Sequence, residues 1–412
     1  MLGSGSKRIL VLGINYAPEL TGIGKYTGEM VDWLADNGYE CSVVTAFPYY
    51  PQWKVQKPYG GKFYKKEIEN DGKVTVYRCP LFVPSVPTGF KRIVHDASFF
   101  LSASLLLFCL LFKRGFDDIF CIAPPFHLGF LAIIYRAFKG GRVIYHIQDL
   151  QVDAAKKLGI VKSAWMMTLL FGLEKMILRR ADLVSTIADG MARKIRLKAD
   201  RRVEIFPNWV DTRSFYPLED TRAARIDFGI PVDDKVVLYS GSIGEKQGLE
   251  SIIDVADELR SDEALKFVIC GAGPYKQRLE EMTRERGLKN VLFYPIQDLD
   301  KFNEFLNVAD VHLVLQKSDA SDLLLPSKLT TILAVGGLAL VTADPDTSLY
   351  DEIAGNNAGI LIRPDDPDAL LEGIKDAVYN DHGDKRQNAR RYAENNLSAD
   401  RLLRSFKNVL ES

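Results

Sequence analysis

Short, mostly apolar runs recur along the chain, and longer helical or loop stretches separate them. Lys7–Gly13 is the first run, and Cys41–Thr45, Val74–Cys79, Ile119–Ala123, Val143–Ile147 and Leu183–Thr186 follow. Apolar-rich runs of this length read as strands, and those apolar almost throughout, such as the first, as strands buried on both faces, the habit of parallel sheets. The same rhythm resumes at Val236–Ser240, Phe267–Cys270, Val291–Tyr294, Val311–Leu315 and Leu338–Thr342, among helices such as Leu249–Arg260 and Tyr275–Arg286. Strand and helix alternating in two series predict an α/β chain of two doubly wound, Rossmann-like domains facing a central cleft.

With 412 residues the chain is too long for one ordinary core. Phe206–Asp211, FPNWVD, interrupts the pattern, so the expected division is 1–210, 211–390, and a last helix within 391–412 that packs back towards the first domain. Charge changes sign at the same place. Residues 1–210 hold 29 Lys+Arg against 18 Asp+Glu, whereas 211–412 hold 24 against 36. A basic half joined to an acidic one suggests that the basic half faces something anionic, a membrane surface or a phosphorylated lipid. Nucleic acid is the weaker choice, because no recognised nucleic-acid-binding motif is present.

Ala97–Phe112, ASFFLSASLLLFCLLF, is the most apolar stretch, flanked by Lys91-Arg92 and Lys113-Arg114. As a helix of that length it would run roughly 24 Å, short of the ~30 Å hydrocarbon core, so it is expected not to span. A buried core helix and a helix lying in a membrane interface both remain open. Trp165–Phe171, followed by Lys175, Arg179 and Arg180, is a second docking candidate. The five cysteines lie mostly in apolar runs without Cys-x-x-Cys spacing, and read as buried thiols in a reducing, cytoplasmic compartment.

Candidate chemistry lies in the loops after the strands, where doubly wound sheets bind ligands. After the first run comes INYAPELTGIGKYTG, in which Gly22 and Gly24 permit close backbone approach before a helix expected over Lys25–Asn37. The dinucleotide fingerprint is absent, since the third glycine is missing at its offset. His146 and Asp149 stand at the end of Val143–Ile147. A strand-end histidine is as readily a satisfied structural residue as a catalytic one. In the second half three loops open on one edge: Gly241–Gly248 with Ser242 and Lys246, Gly271–Pro274 with Gly273, and the Pro326-Ser327-Lys328 turn into a helix containing Thr331. Ser327 is the expected cap there. Glycines admit phosphate oxygens to the backbone, and Lys246 and Lys328 supply the opposing charge.

PELTGIGKYTGEM, FPNWVD, SGSIGEKQGLE and LPSKLTTILAVGG together resemble the family 4 glycosyltransferases of GT-B architecture, in particular their bacterial colanic-acid and O-antigen members. The resemblance runs over nearly the whole chain. It implies a retaining transfer of sugar from a UDP- or GDP-linked donor, a fucose-type 6-deoxy sugar among the candidates, with neither cofactor nor metal. It also implies a lipid-linked saccharide acceptor and a location peripheral to the inner face of the cell membrane. His146 would lie near the transferred sugar, Gly22 and Gly24 near the donor diphosphate, and Lys246 on the phosphates. Two departures stand out: the family's arginine after the first strand of the second domain is Ser242 here, and its pair of glutamates falls at Leu323 and Thr331. Alternatives are a sugar-nucleotide epimerase on the same fold and an inactive partner in a polysaccharide assembly complex.

Overall fold

The structure, a computed structural model, describes residues 6–411 except 20, 21, 62, 158, 160, 162, 317–325 and 346, and only the backbone at 246. It divides into two compact units, Met1–Pro207 with Leu403–Ser412, and Asn208–Leu402. Residues 391–402 therefore belong with the second unit, and the sequence expectation had put the whole of 391–412 in one piece.

In the first unit, strands β1 (Arg8–Leu12), β2 (Glu40–Ala46), β3 (Lys65–Glu69), β4 (Val74–Cys79), β5 (Asp118–Ala123), β6 (Arg142–Ile147), β7 (Leu183–Thr186) and β8 (Glu204–Ile205) form one sheet. Their order is β3-β4-β2-β1-β5-β6-β7-β8. All neighbours are parallel except β3, which runs antiparallel to β4 at the edge. β1 lies between β2 and β5, with Leu10 beside Ser42 on one side and Ile119 on the other. The order of connection reverses there, so the first site-bearing crevice opens beyond the carboxyl end of β1.

Helices α1 (Gly22–Asp36), α2 (Gly89–Leu110), α3 (Leu128–Lys139), α4 (Gln151–Lys157), α5 (Ala164–Arg180) and α6 (Asp189–Ala199) cover this sheet. α2 is longer than its sequence suggests, 22 residues or about 33 Å. Among the described residues it is the one helix long and apolar enough to cross a membrane by length and composition. The length argument against spanning therefore fails, and packing replaces it. His95, Phe99, Ser102, Ala103, Leu107 and Leu110 form one buried stripe, while Phe90, Ile93, Leu101, Leu105 and Phe108 are exposed on the other. A helix apolar on two faces can bury only one against its own sheet. α3 touches both α2 and α5; it exposes Ile134 and Phe138, and α5 exposes Trp165, Met166 and Leu169. Cys109 is exposed on α2, whereas the other four thiols are buried as expected.

In the second unit β9 (Lys235–Ser240), β10 (Leu265–Cys270), β11 (Val291–Tyr294), β12 (Val311–Val314), β13 (Ala339–Thr342) and β14 (Gly359–Ile362) form a six-stranded sheet in the order β11-β10-β9-β12-β13-β14. Alternate residues of β9 feed two cores, Val236 and Leu238 into one and Val237 and Tyr239 into the other. The order reverses at β9, so the carboxyl ends of β9, β10 and β12 adjoin.

Candidate functional site

The loops leaving β9 and β10 are knitted together by their backbones. The Gly241 amide donates to the Cys270 carbonyl and the Ile243 amide to the Ala272 carbonyl, both at 3.0 Å. The contact leaves no room for side chains. A Cβ on Gly271, which sits at φ +148°, would collide with the Gly241 carbonyl oxygen, and one on Gly273 with that of Ile243. Ser242 is exposed, and its carbonyl accepts a 2.7 Å hydrogen bond from the Tyr239 hydroxyl. Pro274 is exposed beyond it. Lys246 lies in a short 3-10 turn, Glu245–Gln247, and its side chain is outside the described residues.

The third part of the site is the helix Ser327–Ala334. Pro326, and not Ser327, occupies its cap position, so Ser327 is the first helical residue and its hydroxyl makes no capping bond. This corrects the expected cap. The Leu329 amide already bonds the Pro326 carbonyl at 2.8 Å, leaving Ser327 and Lys328 as the amides without a partner inside the helix. Thr331 is buried, and its hydroxyl donates back to the Lys328 carbonyl at 2.9 Å. Leu323 lies outside the described residues.

Lys328 turns inwards from this helix. Its Nζ is shielded from solvent with no hydrogen-bond partner among the described residues, and lies 3.9 Å from the centroid of the Tyr239 ring. A Cβ on Gly241 would stand 3.4 Å from that nitrogen. The glycine loops and the lysine therefore form one cluster. Burial pushes the ammonium down to about 7. Tyr239, which the sequence reading missed, presents the face of its ring to this nitrogen.

The first unit's candidates are differently placed. Gly22 sits at the very start of α1 with φ +62°, so the helix begins three residues before the expected Lys25 and both glycines lie in its first turn. Gly24 is small because Glu19 occupies the space, with Glu19 Oε2 2.8 Å from where a Cβ would be. Glu19 is itself buried and accepts the amides of Tyr49 and Tyr50 at 2.9 Å and the Asn15 side chain at 2.8 Å. His146 is 2% exposed. Its Nδ1 lies 2.9 Å from Ser185 Oγ and its Nε2 3.1 Å from Gln148 Nε2, with Phe120 stacked on one side and Phe206 edge-on. Burial pushes the imidazole down to about 3. Both nitrogens are engaged in a dry setting, the marks of the structural reading of this histidine more than of the catalytic one. Asp149 is half-buried past the end of β6, its carboxyl raised by burial and by Asp153 while the Leu150 amide lowers it. Asp96 on α2 was not foreseen; it accepts the Gln151 side chain at 2.9 Å, and burial lifts it to about 6.

A cluster of glycine-lined amides with a buried lysine suits an anionic group held at the strand ends. The description "glycosyl transferases group 1" matches residues 220–396, and "glycosyl transferase 4-like domain" matches residues 21–209. The chain belongs to this family and is a glycosyltransferase of the GT-B fold. The Escherichia coli K12 protein named colanic acid biosynthesis glycosyl transferase WcaI is 43% identical to it, over 97% of this chain and 99% of its own. The O-antigen chain mannosyltransferase C of Escherichia coli is 26% identical over 43% of this chain and 47% of its own. Among solved structures, WaaG, a glycosyltransferase of lipopolysaccharide biosynthesis, matches 98% of this chain and 99% of its own at TM-score 0.68 and 15% identity. Anabaena HepE in complex with UDP and glucose matches 98% and 99% at TM-score 0.66 and 12% identity. At such identities the likeness to solved structures is one of fold.

Proposed function

We propose that this glycosyltransferase moves a sugar, with retention, from a UDP- or GDP-linked donor to a lipid-linked saccharide during bacterial exopolysaccharide or O-antigen synthesis. The observation that carries the donor assignment is the unpartnered Lys328 nitrogen beside the Gly241 and Gly271 loops. Breaking the bond between the anomeric carbon and the phosphate oxygen leaves the electron pair on the diphosphate and positive charge on the sugar ring. Amides at the start of helix Ser327–Ala334 and the lysine stabilise the first of these charges, an effect worth several kcal/mol in such sites. The name of the relative WcaI supports the polysaccharide setting, and the nucleotide in HepE supports the donor class.

The acceptor reading rests on the first unit. The exposed apolar faces of α2, α3 and α5, with Lys91, Lys113, Lys175, Arg179 and Arg180 exposed around them, suit the headgroup region of an anionic membrane, where a lipid-linked saccharide would be met. A thermal-shift panel of UDP, GDP and their sugars tests the donor assignment. A true donor at a hundred times its dissociation constant adds about 2.7 kcal/mol and raises the melting temperature of the second unit. No shift with any nucleotide would reject the reading.

A further inference from the structure

We propose that Lys328 is the residue that neutralises the donor diphosphate, and that it takes up a proton from solvent as the diphosphate binds. The proposal rests on the donor reading above and says how that site is charged. Its first support is geometric: a lysine nitrogen with no solvent and no hydrogen-bond partner among the described residues, 3.9 Å from an aromatic centroid, beside a glycine whose missing side chain keeps the loop close. A buried ammonium left without a counter-ion is strongly penalised, so a neutral amine is the better resident of the empty site.

Among the described residues, the groups facing it do not change this. Tyr239 gives its hydroxyl hydrogen to the Ser242 carbonyl, and its phenol is held above its usual range by burial. Glu245, on the loop after β9, is exposed. Helix Ser327–Ala334 also meets β12, β13 and helix Gly383–Tyr392. β12 carries His312, pushed down to about 3 by burial and by Arg386, and β13 brings no ionisable side chain. Arg386 bonds the Asp310 carbonyl, and Arg390 the carbonyls of Phe215, Ala334 and Thr212 as well as Glu394. Desolvation is the one cause of the lysine's shift, so no acid among these residues offsets it.

A diphosphate brought alongside supplies the missing negative charge and returns the lysine to its ammonium form. The same change assists departure, because the nucleoside diphosphate released carries one more negative charge than the sugar ester that entered.

Calorimetric titration of the full chain with UDP-glucose and with GDP-mannose, in buffers of differing ionisation enthalpy, counts the protons taken up. These diesters have no group of their own that titrates near neutrality. Uptake should approach one proton per ligand at about pH 8 and fall towards none at about pH 6. Lys328→Arg should bind the same probe without the uptake, because the guanidinium is always charged, and Lys328→Met should weaken binding at least tenfold. Without ligand, Lys328→Met should melt above wild type, by more at about pH 6 than at about pH 9. The sign follows from a folded value below the unfolded one: the burial penalty is complete below the folded pKa and fades as pH rises towards the unfolded value. Binding of a probe without pH-dependent uptake, or an unchanged Lys328→Met, overturns this proposal alone. Failure of every probe to bind the folded protein overturns it together with the donor reading.

Discussion

At the carboxyl ends of the first unit's strands two buried candidates are fully answered: His146 uses both ring nitrogens on Ser185 and Gln148, and Glu19 accepts three donors. Beyond the same ends in the second unit, Lys328 answers nothing among the described residues. Both residues stand where doubly wound sheets bind ligands, and both are plausible from sequence. A strand-end position thus marks where a site can be, and the state of hydrogen bonding distinguishes a group that holds the fold from one held ready for a ligand.

The largest expected effect lies where the second unit's loops touch. Gly273→Ala puts a methyl group into the Ile243 carbonyl, so the β9 and β10 loops must part. A displacement on the order of 1 Å costs about a hundredfold in rate at a positioned site. In the first unit, Gly22→Ala meets, among the described residues, the Tyr50 ring at 3.8 Å. It introduces backbone strain without a clash and should lower sugar transfer by no more than about tenfold. Equal losses in a transfer assay, with both variants folded by circular dichroism, would erase the contrast between the two glycine loops.

His146→Ala comes next and acts on stability. Removing the ring leaves a void between Phe120 and Phe206 and strips partners from Ser185 and Gln148, a loss of about 2–4 kcal/mol. Nucleotide affinity per folded molecule should stay at the wild-type value. Urea melts paired with titration of the folded fraction check this, and wild-type stability with abolished transfer would return the histidine to the catalytic list.

Much of this frame was legible before any coordinates. Val74–Cys79, Leu183–Thr186 and Val291–Tyr294 are strands end to end, because buried parallel strands are short and rich in apolar and β-branched residues. β3, KKEIE, was missed: an edge strand with a single apolar residue, the exposed Ile68, carries no such signal. β14, GILI, opens on a glycine, is half-buried over its last three residues, and was also missed. The glycine loops could be found by residue type and position, since few residues besides glycine allow that approach. Whether a particular lysine or histidine finds a partner depends on residues far away in the chain, Ser185 for His146 and Tyr239 for Lys328, and no local pattern reports it. The outer face of α2 was undecidable for a related reason. A helix apolar all round states that it is apolar, and only packing shows which stripe is covered.

That stripe gives the smallest effect per residue and the last test of the comparison, since a membrane would engage the first unit alone. Each exposed basic residue near an anionic surface contributes about 1 kcal/mol, screened by salt, and each apolar side chain adds roughly 25 cal/mol per Å² that it buries. Flotation with anionic liposomes should therefore weaken along a salt series yet leave a residue of binding at high salt. Phe108→Ser and Trp165→Ser, at side chains 60% and 69% exposed, should each reduce that salt-resistant part by about 1–2 kcal/mol, up to some thirtyfold in partition, with folding and nucleotide affinity unchanged. Binding abolished by moderate salt would keep the basic rim and remove insertion of the apolar faces. No flotation even at low salt would sink the docking surface altogether, and the exposed stripe on α2 would need another partner.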